Sequence, residues 1–362
     1  ILFMRKIYWV VLTIIPLFIL LTITSCKEDE IIEPEVTYDP TPYAFDIPEW
    51  VAVNIGEISA PIDNPTTIAG VELGRALFYD ERLSNDMTMS CGTCHKQANA
   101  FDDPRPFSQG TNGAFGNRNA MAIINLAWDG SFFWDGRQQS LEAQAHDPVT
   151  NPIEMANTWV EIENRLRDDA QYQDMFKRAF NTIAIDSILI TKAIAQFERT
   201  LVSFDSPFDA YYYGGDATAL TSEQISGMNL FFGDAKCFQC HSDPLFTDNA
   251  FRNNGLDLMP LDSGRAKFTG LDADYGKFKV TTLRNIANTA PYMHDSRFAT
   301  LEQVVEHYSS SVIQESPNLD EHMIDFGSGL NLTATEKLQL VAFLQTLSDN
   351  NFLTNQQYAD PE

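Results

Sequence analysis

Beyond Pro48 the chain has few runs in which apolar and polar residues alternate, so strand signals are sparse. Apolar residues recur instead at steps of three and four over residues 159–180, 186–204, 221–232, 301–308 and 333–347. In the second of these, Ile190, Ile194, Phe197 and Leu201 fall along one helical face. Thr221 ahead of Glu223 and Gln224 supplies an N-terminal cap, and Thr333 ahead of Glu336 a capping box. The pattern predicts a mainly α fold. Two Gly/Asn/Asp/Pro-rich stretches, 98–119 and 243–275, exceed ordinary connector length, and long loops in a compact fold are usually functional.

The amino-terminal pattern is different and starts at Met4. Arg5 and Lys6 precede an 18-residue apolar run, 7–24, interrupted by Pro16. This matches a secretory signal and is also long enough to span a bilayer. The ending Leu21-Thr22-Ile23-Thr24-Ser25-Cys26 resembles a lipobox, so residues 1–25 are expected to be a signal peptide and Cys26 the lipidated first residue. An uncleaved anchor helix would leave the rest on the same side of the membrane. Residues 26–45, rich in Glu, Pro and Thr, read as a flexible tether, and Lys27-Glu28-Asp29-Glu30 resembles the acidic tag of some surface-exported lipoproteins. The expected location is the cell envelope, lipid-anchored, on the periplasmic side or the cell surface.

With 44% hydrophobic residues the chain is too apolar to be disordered, and 24 Lys and Arg against 50 Asp and Glu give a net charge of −26. Such a surface repels phosphate backbones, which argues against nucleic acid and favours a cationic protein partner.

Four of the five cysteines lie in two CxxCH segments, Cys91-Gly92-Thr93-Cys94-His95 and Cys237-Phe238-Gln239-Cys240-His241. The thiols of such a segment can form thioethers with the two vinyl groups of a haem, and the adjacent histidine can ligate its iron. A redox dithiol has no need of the histidine, and zinc would require further ligands that no nearby Cys or His obviously supplies. Each segment follows a helix and precedes one of the long loops, so the mature chain divides near Ser206-Pro207 into similar units, 46–205 and 206–355, each binding one covalent haem c.

At this point the sequence resembles the bacterial di-haem cytochrome c peroxidases and their MauG-like relatives, from about Leu73 to about Leu347. The resemblance rests on Leu73-Gly74-Arg75-Ala76-Leu77-Phe78 with Arg82-Leu83-Ser84, Phe133-Trp134-Asp135-Gly136-Arg137, Leu141-Glu142-Ala143-Gln144, Asn151-Pro152-Ile153-Glu154-Met155, Leu283-Arg284-Asn285, and Ala290-Pro291-Tyr292-Met293-His294-Asp295. It implies that peroxide reacts at the His95 haem, with Glu154 as distal acid/base and Gln144 as its polar neighbour. Some family members close this site with a distal histidine, but no histidine occurs between Lys96 and Ala145, and Thr111 stands at the matching spacing. The first haem is therefore expected to be open in every redox state. Taken alone, Glu154 would read as a solvated residue at a helix entry, and His146 as a loop histidine.

Trp134, 39 residues after His95, matches the family's electron relay between the haems; without the resemblance it would read as core. Tyr308, 17 residues beyond Pro291, matches the distal ligand of the His241 haem, with Met293 and His307 as rivals. A calcium ion is implied at Asn119 with the carbonyl oxygens of Thr289 and Pro291, oxygen donors that suit a hard cation. The implied activity is hydrogen peroxide reduction with electrons from a small cytochrome c or similar donor. The alternatives are MauG-like oxidation of a partner protein's side chains and plain electron transfer. A homodimer is compatible with this reading.

Overall fold

The helical spacing becomes a set of short helices joined by long loops. The computed structural model describes residues 36–361 except residue 326; the expected signal segment, Cys26 and the first ten tether residues lie outside it. The helices are α1 (Glu49–Ile55), α2 (Ile68–Tyr79), α3 (Cys91–Cys94), α4 (Leu141–Thr150), α5 (Trp159–Arg167), α6 (Ala170–Phe180), α7 (Ser187–Glu198) and α8 (Pro207–Tyr212). They continue with α9 (Ser222–Phe232), α10 (Ala266–Thr269), α11 (Leu301–Ser310), α12 (Glu321–Ile324), α13 (Ala334–Gln345) and α14 (Asn350–Thr354). Two-residue strands β1 (Phe251–Arg252) and β2 (Phe278–Lys279) pair antiparallel. The fold is mainly α, as expected. Among the described residues no helix is long and apolar enough to cross a membrane.

The predicted segments keep their caps but not all their lengths. The Thr221–Gln224 and Thr333–Glu336 capping boxes both form. The 159–180 segment breaks in two because the Asp169 carboxylate accepts from the Gln171 N–H and starts a new helix, α6. The 186–204 segment stops at Glu198, and its last residues turn away to join the second half of the chain.

Two hydrophobic cores form. The first gathers Leu73, Leu77 and Phe78 of α2, Ile162 and Leu166 of α5, Phe176 of α6, and Ile190, Ile194 and Phe197 of α7. Phe352 and Tyr358, from the end of the chain, join this first core. The second gathers Phe208 of α8, Met228 and Phe231 of α9, Leu301 and Val305 of α11, and Leu340, Phe343 and Leu344 of α13.

The cores are built alike. In the first, α2 crosses α7 at Gly74, where a Cβ would lie 1.9 Å from Ala193 O and 3.0 Å from Phe197 Cβ. In the second, α9 crosses α13 at Gly227, where a Cβ would lie 1.9 Å from Gln339 O and 2.9 Å from Phe343 Cβ. After each CxxCH segment the likeness tightens into one constant offset of 160 positions. Asn125 and Asn285 both take left-handed backbone, at φ 56° and 58°, and lead into single turns of 3-10 helix. The bridge Phe132–Gln138 corresponds to Tyr292–Phe298, and the caps Ser140 and Thr300 open α4 and α11. The halves meet through two backbone hydrogen bonds that the same offset interchanges: Asn119 N–H to His294 O at 2.8 Å, and Lys279 N–H to Trp134 O at 2.9 Å.

Alanine usually gains up to about 1 kcal/mol over glycine inside a helix. At Gly74 and Gly227 the added methyl meets backbone that cannot rotate aside, so each Gly→Ala variant should lose about 1–3 kcal/mol, the usual cost of overpacking. Thermal denaturation of the holo-protein checks this, and an unchanged or raised midpoint in both variants would show that the helix pairs separate freely.

Candidate active site

Each CxxCH segment presents its histidine the same way. Cys91–Cys94 is one helical turn capped by Ser90 and Thr93, and His95 follows with Nδ1 2.8 Å from Phe101 O. Cys237–Gln239 is a 3-10 turn, and His241 Nδ1 lies 3.0 Å from Phe246 O. Burial lowers the pKa of both rings, favouring neutral imidazole. With Nδ1–H donated to a carbonyl, each Nε2 keeps its lone pair for a metal.

No disulfide joins the four cysteines of the two segments. Burial raises the pKa of Cys91 and Cys94, pushes Cys237 up to about 12 and Cys240 up to about 11. Thiols held protonated by burial are poorly suited to a redox dithiol. Among the described residues no group of three or more His, Cys, Asp and Glu side chains could hold a metal ion. Beside Cys237, Cys240 and His241 opens a cavity walled by Phe231, Leu283, Leu301, Val305 and Leu344. An apolar slot with two thiols on its rim and one imidazole in its wall fits a covalently attached macrocycle.

Tyr308 and Met293 both reach this cavity. They share one partner, because Asn254 Nδ2 donates to the Tyr308 hydroxyl at 3.0 Å and to Met293 Sδ at 3.6 Å. Burial pushes the Tyr308 phenol up to about 12, while the Asn254 bond pulls it down. His307 is occupied elsewhere, with Nε2 3.1 Å from Asn254 O. His322 and Met323, which spacing did not single out, also reach the cavity wall.

In the first half the position equivalent to Tyr308 is Pro148, inside α4, which has no side-chain donor atom. Beyond it, Glu154 Oε1 accepts from Asn151 Nδ2 at 2.7 Å. Burial raises the Glu154 pKa, with the Arg137 charge and the Asn151 bond opposing and Asp147 reinforcing. Thr111, on the 98–119 loop, packs against Glu154, with its N–H and hydroxyl 3.0 and 3.3 Å from Glu154 O. On α4, Gln144 Oε1 is buried with no protein partner. His146 instead packs against Trp159, with ring centroids 5.0 Å apart.

Trp134 stands at the junction of the halves. Its Nε1–H donates to Asn119 O at 2.9 Å, and its ring meets His294 at 6.4 Å and Phe278 at 6.5 Å, both edge-on. Asn119, Thr289 and Pro291 line the same cavity as Trp134, and Asn119 Nδ2 is buried without a partner.

Comparison with known proteins agrees with this geometry. A family model described as di-haem cytochrome c peroxidase matches residues 68–218. The chain is 38% identical over 290 residues to the methylamine utilization protein MauG of Methylorubrum extorquens, covering 79% of this chain and 80% of that one. It is also 38% identical over 282 residues to the cytochrome c551 peroxidase of Nitrosomonas europaea, covering 76% and 79%. The chain belongs to the di-haem cytochrome c peroxidase and MauG family. Among solved structures, a MauG-like protein associated with microbial copper homeostasis superposes with a TM-score of 0.80 at 36% identity, over 88% of this chain and 99% of that one. The di-haem peroxidase BthA of Burkholderia thailandensis, at 21% identity and a TM-score of 0.69, shares the fold.

The protein is thus a haem peroxidase, an oxidoreductase, and its family implies two haems c. Two residues near the first CxxCH segment were not legible in the sequence. Pro148 emerges only when the halves are aligned at the 160-residue offset, a signal present in the paired Asp135–Arg137 and Asp295–Arg297 motifs. Glu198 is buried, with Oε2 unpartnered and its charge felt at Cys91. Burial pushes its pKa up to about 8, with Arg199 opposing and Glu142 adding.

Denaturing mass spectrometry of the mature protein should show two haem masses on the polypeptide, and Cys240→Ala should reduce the second attachment selectively. Unmodified thiols at both segments would sink the assignment.

Proposed function

We propose that this peroxidase reduces hydrogen peroxide in its first half, beside His95, with electrons arriving from the second half through Trp134. Once bound, the haems supply the redox chemistry, peroxide reduction at one iron and electron transfer at both. The observation that carries the reading is the difference between equivalent positions: Pro148 offers no ligand where Tyr308 offers a phenol, and Glu154 stands just beyond Pro148.

Glu154 is the proton carrier. Asn151 holds Oε1, so Oε2 takes the proton from the nearer peroxide oxygen and returns it to the departing one. Gln144 Oε1 accepts the remaining peroxide O–H, filling its empty hydrogen-bond capacity. Thr111 fixes the loop on which the carboxylate rides, and with no histidine in that stretch nothing has to be displaced before peroxide enters. A plain electron-transfer cytochrome has no use for this carboxylate and amide.

A second reading, oxidation of a partner protein's side chains, is favoured by Tyr308, since an oxygen ligand stabilises higher oxidation states more than methionine does. The same proposal places calcium at Asn119 and the carbonyls of Thr289 and Pro291. Its support is their shared cavity and the unpartnered Asn119 amide, whose oxygen and nitrogen exchange places on a half-turn. It also takes Cys26 as a lipid anchor holding the enzyme in the cell envelope, within reach of a small cytochrome donor.

Glu154→Gln should retain both haems and lose 10²- to 10⁴-fold in peroxide turnover, the usual contribution of a general acid/base. Because Glu154 must be ionised to accept a proton, the wild-type rate should fall as pH drops through a pKa above the ordinary carboxylate range, and the variant should lack this limb. A variant within about threefold of wild type, roughly 0.7 kcal/mol of barrier, would leave Glu154 with a structural role only.

Tyr308→Met should raise the potential of the second haem, because methionine ligation favours the ferrous state. Spectroelectrochemical titration reads this. A wild-type spectrum already showing His/Met ligation would instead make Met293 or Met323 the ligand.

A further inference from the structure

The aromatic side chains of the second half do not stop at the cofactor cavity. Phe246, whose carbonyl holds His241 Nδ1, meets Phe208 edge-on at 5.1 Å. Phe208 meets Tyr213 at 6.2 Å, and Tyr213 lies flat on Trp50, with centroids 3.7 Å apart and planes within 4°. A second path converges on the same indole. Arg284, a buried residue of the cavity wall, stacks over Phe246 at 5.6 Å and Phe204 at 4.6 Å, and Phe204 meets Trp50 at 5.6 Å. Trp50 lies in α1, partly exposed, with Val53 and Asn54 open to solvent one turn on.

Two features of the pair bear on oxidation. Its rings lie parallel, whereas the other ring contacts of Trp50 and Tyr213 are edge-on. The Tyr213 hydroxyl also donates to Asp243 Oδ2 at 2.6 Å, which makes the phenol ring electron-rich. Both features lower the cost of placing a positive charge on the adjacent indole, for the reason a cation is held over an aromatic face.

We propose that Trp50, stacked on Tyr213, is a surface oxidation site at which this peroxidase takes single electrons from a cationic protein donor too large to enter the cofactor cavity. The proposal rests on the peroxidase reading above. Reduction of one hydrogen peroxide to two waters consumes two protons and two electrons. For each electron, the Trp50 ring gives one inward and becomes a cation radical that keeps its N–H, and the donor restores it by giving one electron of its own.

The surroundings select the donor's charge. Residues 36–74, which carry Trp50, contain six Asp and Glu and no Lys or Arg; Asp63 and Glu72 pair with Lys192 and Arg178, while Asp46, Glu49 and Glu57 are exposed on and beside α1. These exposed carboxylates steer a basic surface toward the indole.

The holo-protein is mixed with two equivalents of peroxide without a donor, and its peptides are mapped by mass spectrometry while freeze-quenched samples are read by EPR. Trp50 should carry added oxygen, a radical signal should narrow when tryptophan ring hydrogens are replaced by deuterium, and a basic ferrocytochrome c in the mixture should suppress both. Trp50→Phe, which keeps the stack but resists oxidation, should lose the signal and slow ferrocytochrome oxidation at least tenfold. Tyr213→Phe, which keeps the ring and drops the bond to Asp243, should lower the yield of oxidised Trp50. Modification confined to other residues, or a Trp50→Phe protein oxidising the cytochrome within twofold of wild type, overturns the proposal. If that variant does not fold, the wild-type peptide map decides alone. The Soret band separates the two readings: no response to peroxide sinks both, whereas a normal response with an unmodified Trp50 sinks only this one.

Discussion

Two backbone hydrogen bonds, from Asn119 N–H to His294 O and from Lys279 N–H to Trp134 O, fix how the halves of the molecule face each other. Side chains reinforce this main-chain junction: Arg118 pairs with Asp262 across it, and the buried Lys279 ammonium binds Asp129 and the Ser131 carbonyl. Trp134 and His294, exchanged by the internal symmetry, meet edge-on instead of mirroring each other's role. Asn119 is bound from both directions: its N–H crosses to the second half while its carbonyl receives the Trp134 indole. A shift of either half would therefore move the indole relative to the second cavity.

The same logic runs through the cores. Gly74 and Gly227 let one helix lie on another at backbone distance, and each crossing brings a phenylalanine, Phe197 or Phe343, to the same place. Given that scaffold, chemistry differs by single substitutions at matched positions. A proline in α4 and a tyrosine in α11 occupy one site in the two halves, and only the first is followed by a buried carboxylate on an amide tether. The repeated scaffold supplies the geometry, and a few side chains make the halves unequal.

Much of this was legible in the sequence, for stateable reasons. The CxxCH segments are local and chemically unambiguous, and amphipathic helices such as α6 and α11 declare themselves by spacing. The first CxxCH segment's own supporting helix, α2, did not, because three of the six positions on its buried stripe are the small residues Ala69, Gly70 and Gly74 while Ile68 and Val71 lie off it. In α4, His146, Asp147 and Pro148 interrupt the periodicity although the Ser140 cap starts the helix normally. The return of Phe352 and Tyr358 to the first core depends on distant partners: the Asp349 carboxylate, which caps α14 through the Phe352 N–H, also accepts from the Ser203 hydroxyl and the Asp205 N–H. Long-range closure of this kind leaves no periodic trace.

Composition also acquires a physical meaning once the rings are placed. The chain has 25 phenylalanines but only five tryptophans. Around the second cofactor cavity Phe208, Phe231, Phe232, Phe246 and Phe343 pack into one mutually contacting cluster. Phenylalanine is far harder to oxidise than tryptophan or tyrosine, so such a core fills space while resisting stray electron loss to a peroxide-activated centre. Oxidisable rings lie at both ends of it: Trp134, Tyr292 and Tyr308 line the cavity, and Tyr212 and Tyr213 with Trp50 lie beyond Phe208. The phenylalanines between them leave no ring on which an oxidising equivalent readily rests, so charge crosses that stretch between a few defined positions.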